Sequence, residues 1–152
     1  MMYFAYGSNM DWNQMRERCP SATFVCVAKL PAHRLAFTRR SIKRGCGVAD
    51  AIPDDRRDVW GVVYEIVQVD VGNLDQSEGF SPGRQKNAYT REERHVFVEG
   101  DHSKPVAACI YFARKEKSPP PPSPDYKGLI INAARFWHLP AEYIASLEKI
   151  ET

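Results

Sequence analysis

The chain has 152 residues, of which 43% are hydrophobic and 26% charged, and its formal net charge is +2. This composition is typical of one globular domain with its own core, and so small a net charge does not favour nucleic acid or a membrane as a partner. The four cysteines contain no C-x-x-C pair, so neither a zinc site nor a redox dithiol is predicted. Without a signal-peptide pattern or an apolar run of ~20 residues, we expect a single cytoplasmic domain over residues 1–152.

The first half of the chain predicts one helix among several strands. Tyr3–Tyr6 is rich in aromatic residues and predicts a short buried strand that ends at Gly7. Asp11 can cap a following helix, with Gln14 three residues later completing a capping-box-like pair and Pro20 closing the segment. The next four apolar segments predict strands: Phe24–Leu30, Arg34–Thr38 (after Pro31), Val48–Ile52 and Val59–Ile66.

One basic cluster stands out between the predicted strands and consists of Arg39, Arg40, Lys43 and Arg44. It lies in a turn-like stretch that has no interleaved aromatic residues for stacking on bases. We therefore interpret it as a solvated loop and not as a phosphate-binding surface.

The second half of the chain predicts a mixed fold. Val71–Gln76 predicts a short helix ended by Gly79, and a polar loop leads from Gly79 to Tyr89. Strands are predicted at Arg94–Val98 and Val106–Phe112. The proline-rich stretch Pro119–Pro124 is predicted to be an extended connector at the surface. Helical spacing then begins at Tyr126 and again at Pro140. Together these elements predict a single α+β domain, built on a curled sheet or small β-barrel with flanking helices.

Two short segments are candidates for chemistry. The turn Tyr6–Asn9 leads from a strand into a helix and can present free backbone N–H groups to an anion, although spacing alone favours an ordinary Ser or Asn helix cap after a turn glycine. Glu78 stands between a short helix and Gly79, where burial could raise its pKa from about 4.3 towards neutrality and suit it to general acid/base work. A solvated Glu beside a capping Gly is the plainer alternative. Neither segment is decisive alone.

Four segments in order resemble γ-glutamylcyclotransferases. YFAYGSNM resembles the YGSN signature of that family, and PSATFVCVAKL with HRLAFT is similar to the part that follows. DVWGVVYEI and NLDQSEGF resemble its strand and glutamate-bearing turn. PPPPSPDYKGLIINAARFWHLPAEYIASLEKI is similar to its proline stretch, tyrosine and two terminal helices. The resemblance covers essentially the whole chain.

The resemblance implies an enzyme that cyclises the glutamyl part of a γ-glutamyl-amino acid to 5-oxoproline and releases the amino acid. It implies Glu78 as the catalytic residue, a small-molecule γ-glutamyl partner, and neither metal nor cofactor. The implied substrate-binding residues are Tyr3, Phe4, Ala5, Tyr6, Gly7, Ser8, Asn9 and Tyr126. A further family tyrosine follows the glutamate after a short loop. Here Gln85 is near that spacing and the first tyrosine is Tyr89, so either Tyr89 fills the role or the contact is absent.

The sequence is also compatible with other functions. The substrate could be a γ-glutamyl amine, the domain could bind a γ-glutamyl ligand without turning it over, and PPPPSP could be a ligand for an aromatic groove. In the implied mechanism the substrate's α-amine attacks its own γ-carbonyl while Glu78 takes and returns a proton. The Gly7–Asn9 N–H groups would hold either the oxyanion or the α-carboxylate. A homodimer is compatible with the sequence.

Overall fold

Five strands and four α-helices make up the fold, and a computed structural model describes all residues 1–152. The strands are β1 (Met2–Ala5), β2 (Thr23–Ser41), β3 (Cys46–Glu65), β4 (Tyr89–Val98) and β5 (Pro105–Ala113). The helices are α1 (Trp12–Arg18), α2 (Gln68–Ser77), α3 (Pro124–Phe136) and α4 (Ala141–Glu148), and a 3-10 turn covers Ser8–Met10. None of the helices combines the length and the apolar character needed to cross a membrane.

The strands close into a barrel in the order β1-β3-β2-β4-β5. All neighbouring strands are antiparallel except β1 and β5, which close the barrel in parallel through Tyr3 opposite Cys109. Closure removes the exposed sheet edges that an open sheet of this size would have. The predicted α+β domain on a small barrel is confirmed.

The strand boundaries in the first half differ from those predicted. Four separate strands were expected, but the structure has two long ones, because the β2–β3 ladder continues through Pro31 as a bulge. The register shifts between Pro31 and His33, where Ala32 has a φ of 58°. Proline is tolerated at a bulge because no ladder hydrogen bond is required of its nitrogen. The bulges let β2 and β3 bend around the barrel as a single hairpin.

An aromatic cluster fixes the 3-10 turn against the barrel. The Trp137 Nε1–H donates to the Met10 carbonyl at 2.7 Å, and the Tyr64 hydroxyl donates to the carbonyls of Asn9 at 2.9 Å and Met10 at 3.1 Å. Tyr64 is completely buried and Trp12 stacks on it. The turn that carries Asn9 is therefore held by side chains from β3 and from the end of α3.

The proline-rich connector is packed against the start of β3. The Gly47 N–H donates to the Pro121 carbonyl at 2.9 Å, and a Cβ on Gly47 would lie 2.1 Å from the Pro120 carbonyl oxygen. Ser123 then caps α3 by accepting from the Tyr126 N–H at 3.1 Å. The predicted connector is thus a fixed segment that places Tyr126 beside the barrel, and only part of it is at the surface.

Candidate active site

A cavity of about 340 Å³ lies where several chain segments end or turn. It is lined by residues from the loop after β1, the end of α2, the β2–β3 turn, the start of β4 and the start of α3. Loops and element ends at one end of a scaffold are a common position for a small-molecule site. Five of the lining residues are tyrosines: Tyr3, Tyr6, Tyr89, Tyr111 and Tyr126.

Glu78 is the C-cap of α2 and reaches this cavity. Its N–H still donates to the Leu74 carbonyl at 3.0 Å, and the chain then reverses at Gly79, whose φ is +66°. Glycine adopts such a left-handed conformation without strain, so the helix ends directly after the glutamate. The predicted capping role of Gly79 and the cleft position of Glu78 are therefore both present.

A partly buried ion pair anchors the end of α2 to the barrel. Arg91 on β4 donates from Nη1 to both carboxylate oxygens of Asp75, at 2.9 and 2.8 Å, and the Tyr111 hydroxyl on β5 donates to the same carboxylate. The Phe80 N–H donates to the Asp75 carbonyl at 2.9 Å. Because Asp75 precedes Glu78 by three residues, this anchor fixes the direction in which Glu78 leaves the helix.

The Asn9 side chain holds the Glu78 carboxyl group. Its Nδ2 donates to Glu78 Oε1 at 3.0 Å and to the Tyr3 hydroxyl at 3.0 Å. Its Oδ1 accepts from Gln14 Nε2 and from Arg18 Nη1, each at 2.9 Å. With two donors on Oδ1, the amide must turn its NH₂ group towards Glu78. Asn9 is buried, so this orientation is fixed within the fold.

Gln14 extends this network to the β2–β3 turn. Its N–H is capped by the Asp11 carboxylate at 2.9 Å, as predicted. Its side chain, however, does not complete a capping box, because Nε2 donates to Ser8 Oγ at 2.8 Å and to Asn9, and Oε1 accepts from Arg44 Nη2 at 2.7 Å. A continuous chain of hydrogen bonds thus leads from the turn to Glu78.

Burial raises the pKa of Glu78 from 4.5 to about 7, and the positive charges of Arg18 and Arg44 oppose this rise. Desolvation disfavours the ionised carboxylate and is the dominant cause. The carbonyl end of α2 acts in the same direction, since it carries the negative pole of the helix. Glu78 can therefore both accept and donate a proton near neutral pH.

The loop after β1 offers several free donors to the cavity. The N–H groups of Gly7, Ser8 and Asn9 have no acceptor within the protein, and no side chain caps the 3-10 turn. The Tyr3 and Tyr126 hydroxyls accept hydrogen bonds, from Asn9 and from the Ala49 N–H, but their own hydrogens have no protein acceptor. Burial raises the pKa of both phenols, so they stay neutral donors. All five residues line the cavity.

The other predicted substrate-binding residues differ in whether they line the cavity. Tyr89 lines the cavity and its hydroxyl donates to the Ala49 carbonyl at 2.6 Å, whereas Gln85 is exposed and does not line it. Tyr6 also lines it, with its hydroxyl donating to the Tyr111 carbonyl. Phe4 and Ala5, which the resemblance placed among the substrate-binding residues, are buried in the core and do not line the cavity. The strand alternation turns the Phe4 side chain away from Tyr3.

The cations around the cavity were not predicted from the sequence. Arg18 on α1 gave no signal, because its role depends on a contact with Asn9 across the helix start. The solvated-loop interpretation of the basic cluster is incomplete: Arg40 and Lys43 are exposed, but Arg39, Arg40, Lys43 and Arg44 all line the cavity as well. Four cations among six consecutive residues beside a glycine turn was the available signal. No group of three or more His, Cys, Asp or Glu side chains is arranged to hold a metal ion.

Comparisons of sequence and of structure with known proteins point to one family. The sequence profile of the family described as "Gamma-glutamyl cyclotransferase, AIG2-like" matches residues 3–128. The human and mouse proteins named gamma-glutamylcyclotransferase are each 34% identical over 154 aligned positions, which cover 99% of this chain and 78% of the relative. A solved gamma-glutamyl cyclotransferase structure superposes with a TM-score of 0.88 at 33% identity, covering 99% of this chain and 88% of that one. A yeast gamma-glutamyl cyclotransferase specific to glutathione, at 15% identity and a TM-score of 0.66, covers 97% of this chain and 93% of its own and shares the fold.

Proposed function

The chain belongs to the AIG2-like γ-glutamylcyclotransferase family, and we propose that its cavity converts a γ-glutamyl compound to 5-oxoproline. The observation that carries the proposal is Glu78, a carboxyl group with a pKa of about 7 that lines a cavity beside unpaired hydrogen-bond donors. Relatives that align with 99% of this chain, one of them a solved structure with the same fold, bear the name of this activity.

The reaction is an intramolecular displacement. The substrate's α-amino nitrogen attacks its γ-carbonyl carbon, the new C–N bond closes a five-membered ring, and the original γ-amide C–N bond breaks. The leaving nitrogen gains the proton that the α-amine loses, so no water is consumed. Positioning alone can contribute roughly 7–11 kcal/mol to a well-oriented intramolecular reaction.

Glu78 moves the proton. The substrate's α-ammonium group must lose its proton before the nitrogen can attack. A carboxylate with a pKa of about 7 is a stronger base than an ordinary glutamate and, once protonated, can return the proton to the leaving nitrogen. This transfer contributes about 10²–10⁴ in rate. Asn9 keeps the carboxyl group in place through Oε1 and leaves Oε2 for the substrate.

The free donors bind the anionic parts of the substrate. The N–H groups of Gly7, Ser8 and Asn9 suit either the glutamyl α-carboxylate or the oxyanion of the tetrahedral intermediate. An N–H group that meets the oxyanion is worth about 2.7–4 kcal/mol in the transition state. The Tyr3 and Tyr126 hydroxyls supply two neutral donors beside them.

The products distinguish cyclisation from hydrolysis. With γ-glutamyl-alanine we expect 5-oxoproline and alanine in equal amounts, and no free glutamate. The N-acetyl derivative of the same dipeptide lacks the nucleophilic amine and should not react. Glu78→Gln should lose activity, whereas Glu93→Gln, at an exposed position of β4 outside the cavity, should keep it. Release of glutamate, or full activity of a folded Glu78→Gln variant, would refute the proposal.

A further inference from the structure

The turn between β2 and β3 gives the cavity an excess of positive charge. Five cationic side chains line the cavity, and Glu78 is the one acidic residue among its lining residues. The cations are Arg18 from α1 and Arg39, Arg40, Lys43 and Arg44 from the turn and its flanks. A cavity so lined attracts anionic ligands over neutral ones.

Three of these cations already have partners in the protein. Arg18 donates to Asn9, Arg44 donates to Gln14, and the Arg39 guanidinium lies 3.7 Å from the Glu116 carboxylate. Arg44 also lies over the Tyr126 ring, 4.9 Å from its centroid. These contacts position the loop after β1 and anchor the turn.

The remaining two, Arg40 and Lys43, contact no acceptor with their side chains. No hydrogen bond or ion pair of either side chain is present, although both line the cavity. The backbone of the turn is nevertheless ordered by the Gly45 N–H, which donates to the Ser41 carbonyl at 2.8 Å, and by the Arg44 anchor. The β2–β3 turn thus places two cations that have no ion-pair partner, Arg40 and Lys43, on an ordered backbone.

Arg40 and Lys43 are not required for binding the glutamyl half of the substrate, because other groups of the cavity serve that half. In the proposed reaction the Gly7–Asn9 N–H groups bind the anionic centres of that half, and Glu78 takes the proton of its amine. An ordinary leaving amino acid has one carboxylate, whereas a dicarboxylic amino acid has two. We infer that Arg40 and Lys43 bind the carboxylates of the leaving group, and that the preferred leaving group is an amino acid with an acidic side chain.

This inference rests on the proposed function and deepens it from a reaction to a substrate class. Arg40 and Lys43 are exposed, so solvent weakens each ion pair, and we expect the acidic side chain to improve binding by about tenfold. The preference should shrink between ~50 mM and ~500 mM salt, because exposed charges are screened over that range.

Binding measured without turnover separates the two proposals. Isothermal titration calorimetry on the Glu78→Gln variant compares γ-glutamyl-glutamate with γ-glutamyl-glutamine, which differ by one carboxylate against one amide. We expect about tenfold tighter binding of the glutamate compound. Adding Arg40→Gln and Lys43→Gln to the Glu78→Gln variant should bring its affinities for the two dipeptides to within about twofold of each other. Adding Arg56→Gln and Lys149→Gln, which remove the same charge outside the cavity, should leave the preference unchanged.

Turnover by the wild type is then measured with the same two compounds. A matching preference in kcat/KM supports the inference. Equal affinities, or a preference that survives the loss of Arg40 and Lys43, would overturn it even if 5-oxoproline forms. A charge preference in binding with no 5-oxoproline from either compound would instead refute the cyclisation and leave the acidic-ligand site standing.

Discussion

Replacing Glu78 by Gln removes a desolvated charge and keeps an oxygen for the hydrogen bond from Asn9. The variant fold is therefore expected to be more stable than the wild type wherever Glu78 is ionised. The direction follows from proton linkage. Because the folded pKa is raised, the unfolded chain loses this proton first as the pH increases, and the wild-type fold loses stability between the unfolded and folded pKa values.

The size of the effect follows from the two pKa values. The difference between 4.5 and about 7, at about 1.36 kcal/mol for each pH unit, is about 3.4 kcal/mol once both states are ionised. Glu78 is half-buried at an open cavity, and solvent screening lowers this to on the order of 2–3 kcal/mol. At about pH 5 most of the penalty is absent, and we expect about 1 kcal/mol or less.

Urea unfolding of wild type and Glu78→Gln at about pH 5 and about pH 8 measures this difference. The stability gap between the two proteins should widen by about 2 kcal/mol at the higher pH. Asp50, a second buried carboxyl group with a raised pKa, is present in both proteins and cancels in the comparison. A gap that is equal at both pH values would refute the assignment of a raised pKa to Glu78.

Three further outcomes are expected. In wild type, kcat/KM should fall about tenfold per pH unit below about pH 7, because protonated Glu78 cannot accept the substrate proton. A kcat/KM that does not change with pH below about pH 7 would contradict this role of Glu78. Asn9→Asp puts a second carboxylate in place of a donor 3.0 Å from Glu78, so it should raise the Glu78 pKa and shift the acidic limb of the kcat/KM profile to higher pH. An acidic limb at the same pH as in wild type would show that Asn9 does not control the pKa of this carboxyl group. Gly47→Ala should destabilise the fold by about 1–3 kcal/mol in urea unfolding, because its Cβ would lie 2.1 Å from the Pro120 carbonyl oxygen. Gly72→Ala, with open space around the new methyl group, is the control, and equal effects of the two substitutions would contradict the packing of the connector.

Local chemistry made part of the site predictable. The Asp11 cap, the end of α2 at Gly79 and the turn at Gly7 depend on residues within a few positions of one another, and sequence patterns report such contacts well. The order of four family-like segments then linked Glu78 to the loop after β1. The hydrogen bond between Asn9 and Glu78 joins these two segments in the fold.

The contacts across the barrel were not predictable in the same way. Pro31 suggested the end of a strand, yet β2 continues through it because a bulge there requires no N–H donor. The length and bend of the β2–β3 hairpin decide where its turn lies, and so a basic cluster that resembled a solvated loop lines the cavity. The anchor of Arg91 on Asp75 likewise depends on strand placement, which no local pattern encodes.

Single-turnover formation of 5-oxoproline by wild type and Glu78→Gln, each saturated with γ-glutamyl-alanine, tests most directly whether Glu78 moves the proton. Saturation removes differences in affinity, and a titration of the variant with the dipeptide confirms that it still binds. We expect the rate constant of Glu78→Gln to be lower by about 10²–10⁴ with binding retained. A folded variant that binds the dipeptide and forms 5-oxoproline at the wild-type rate would show that another group transfers the proton.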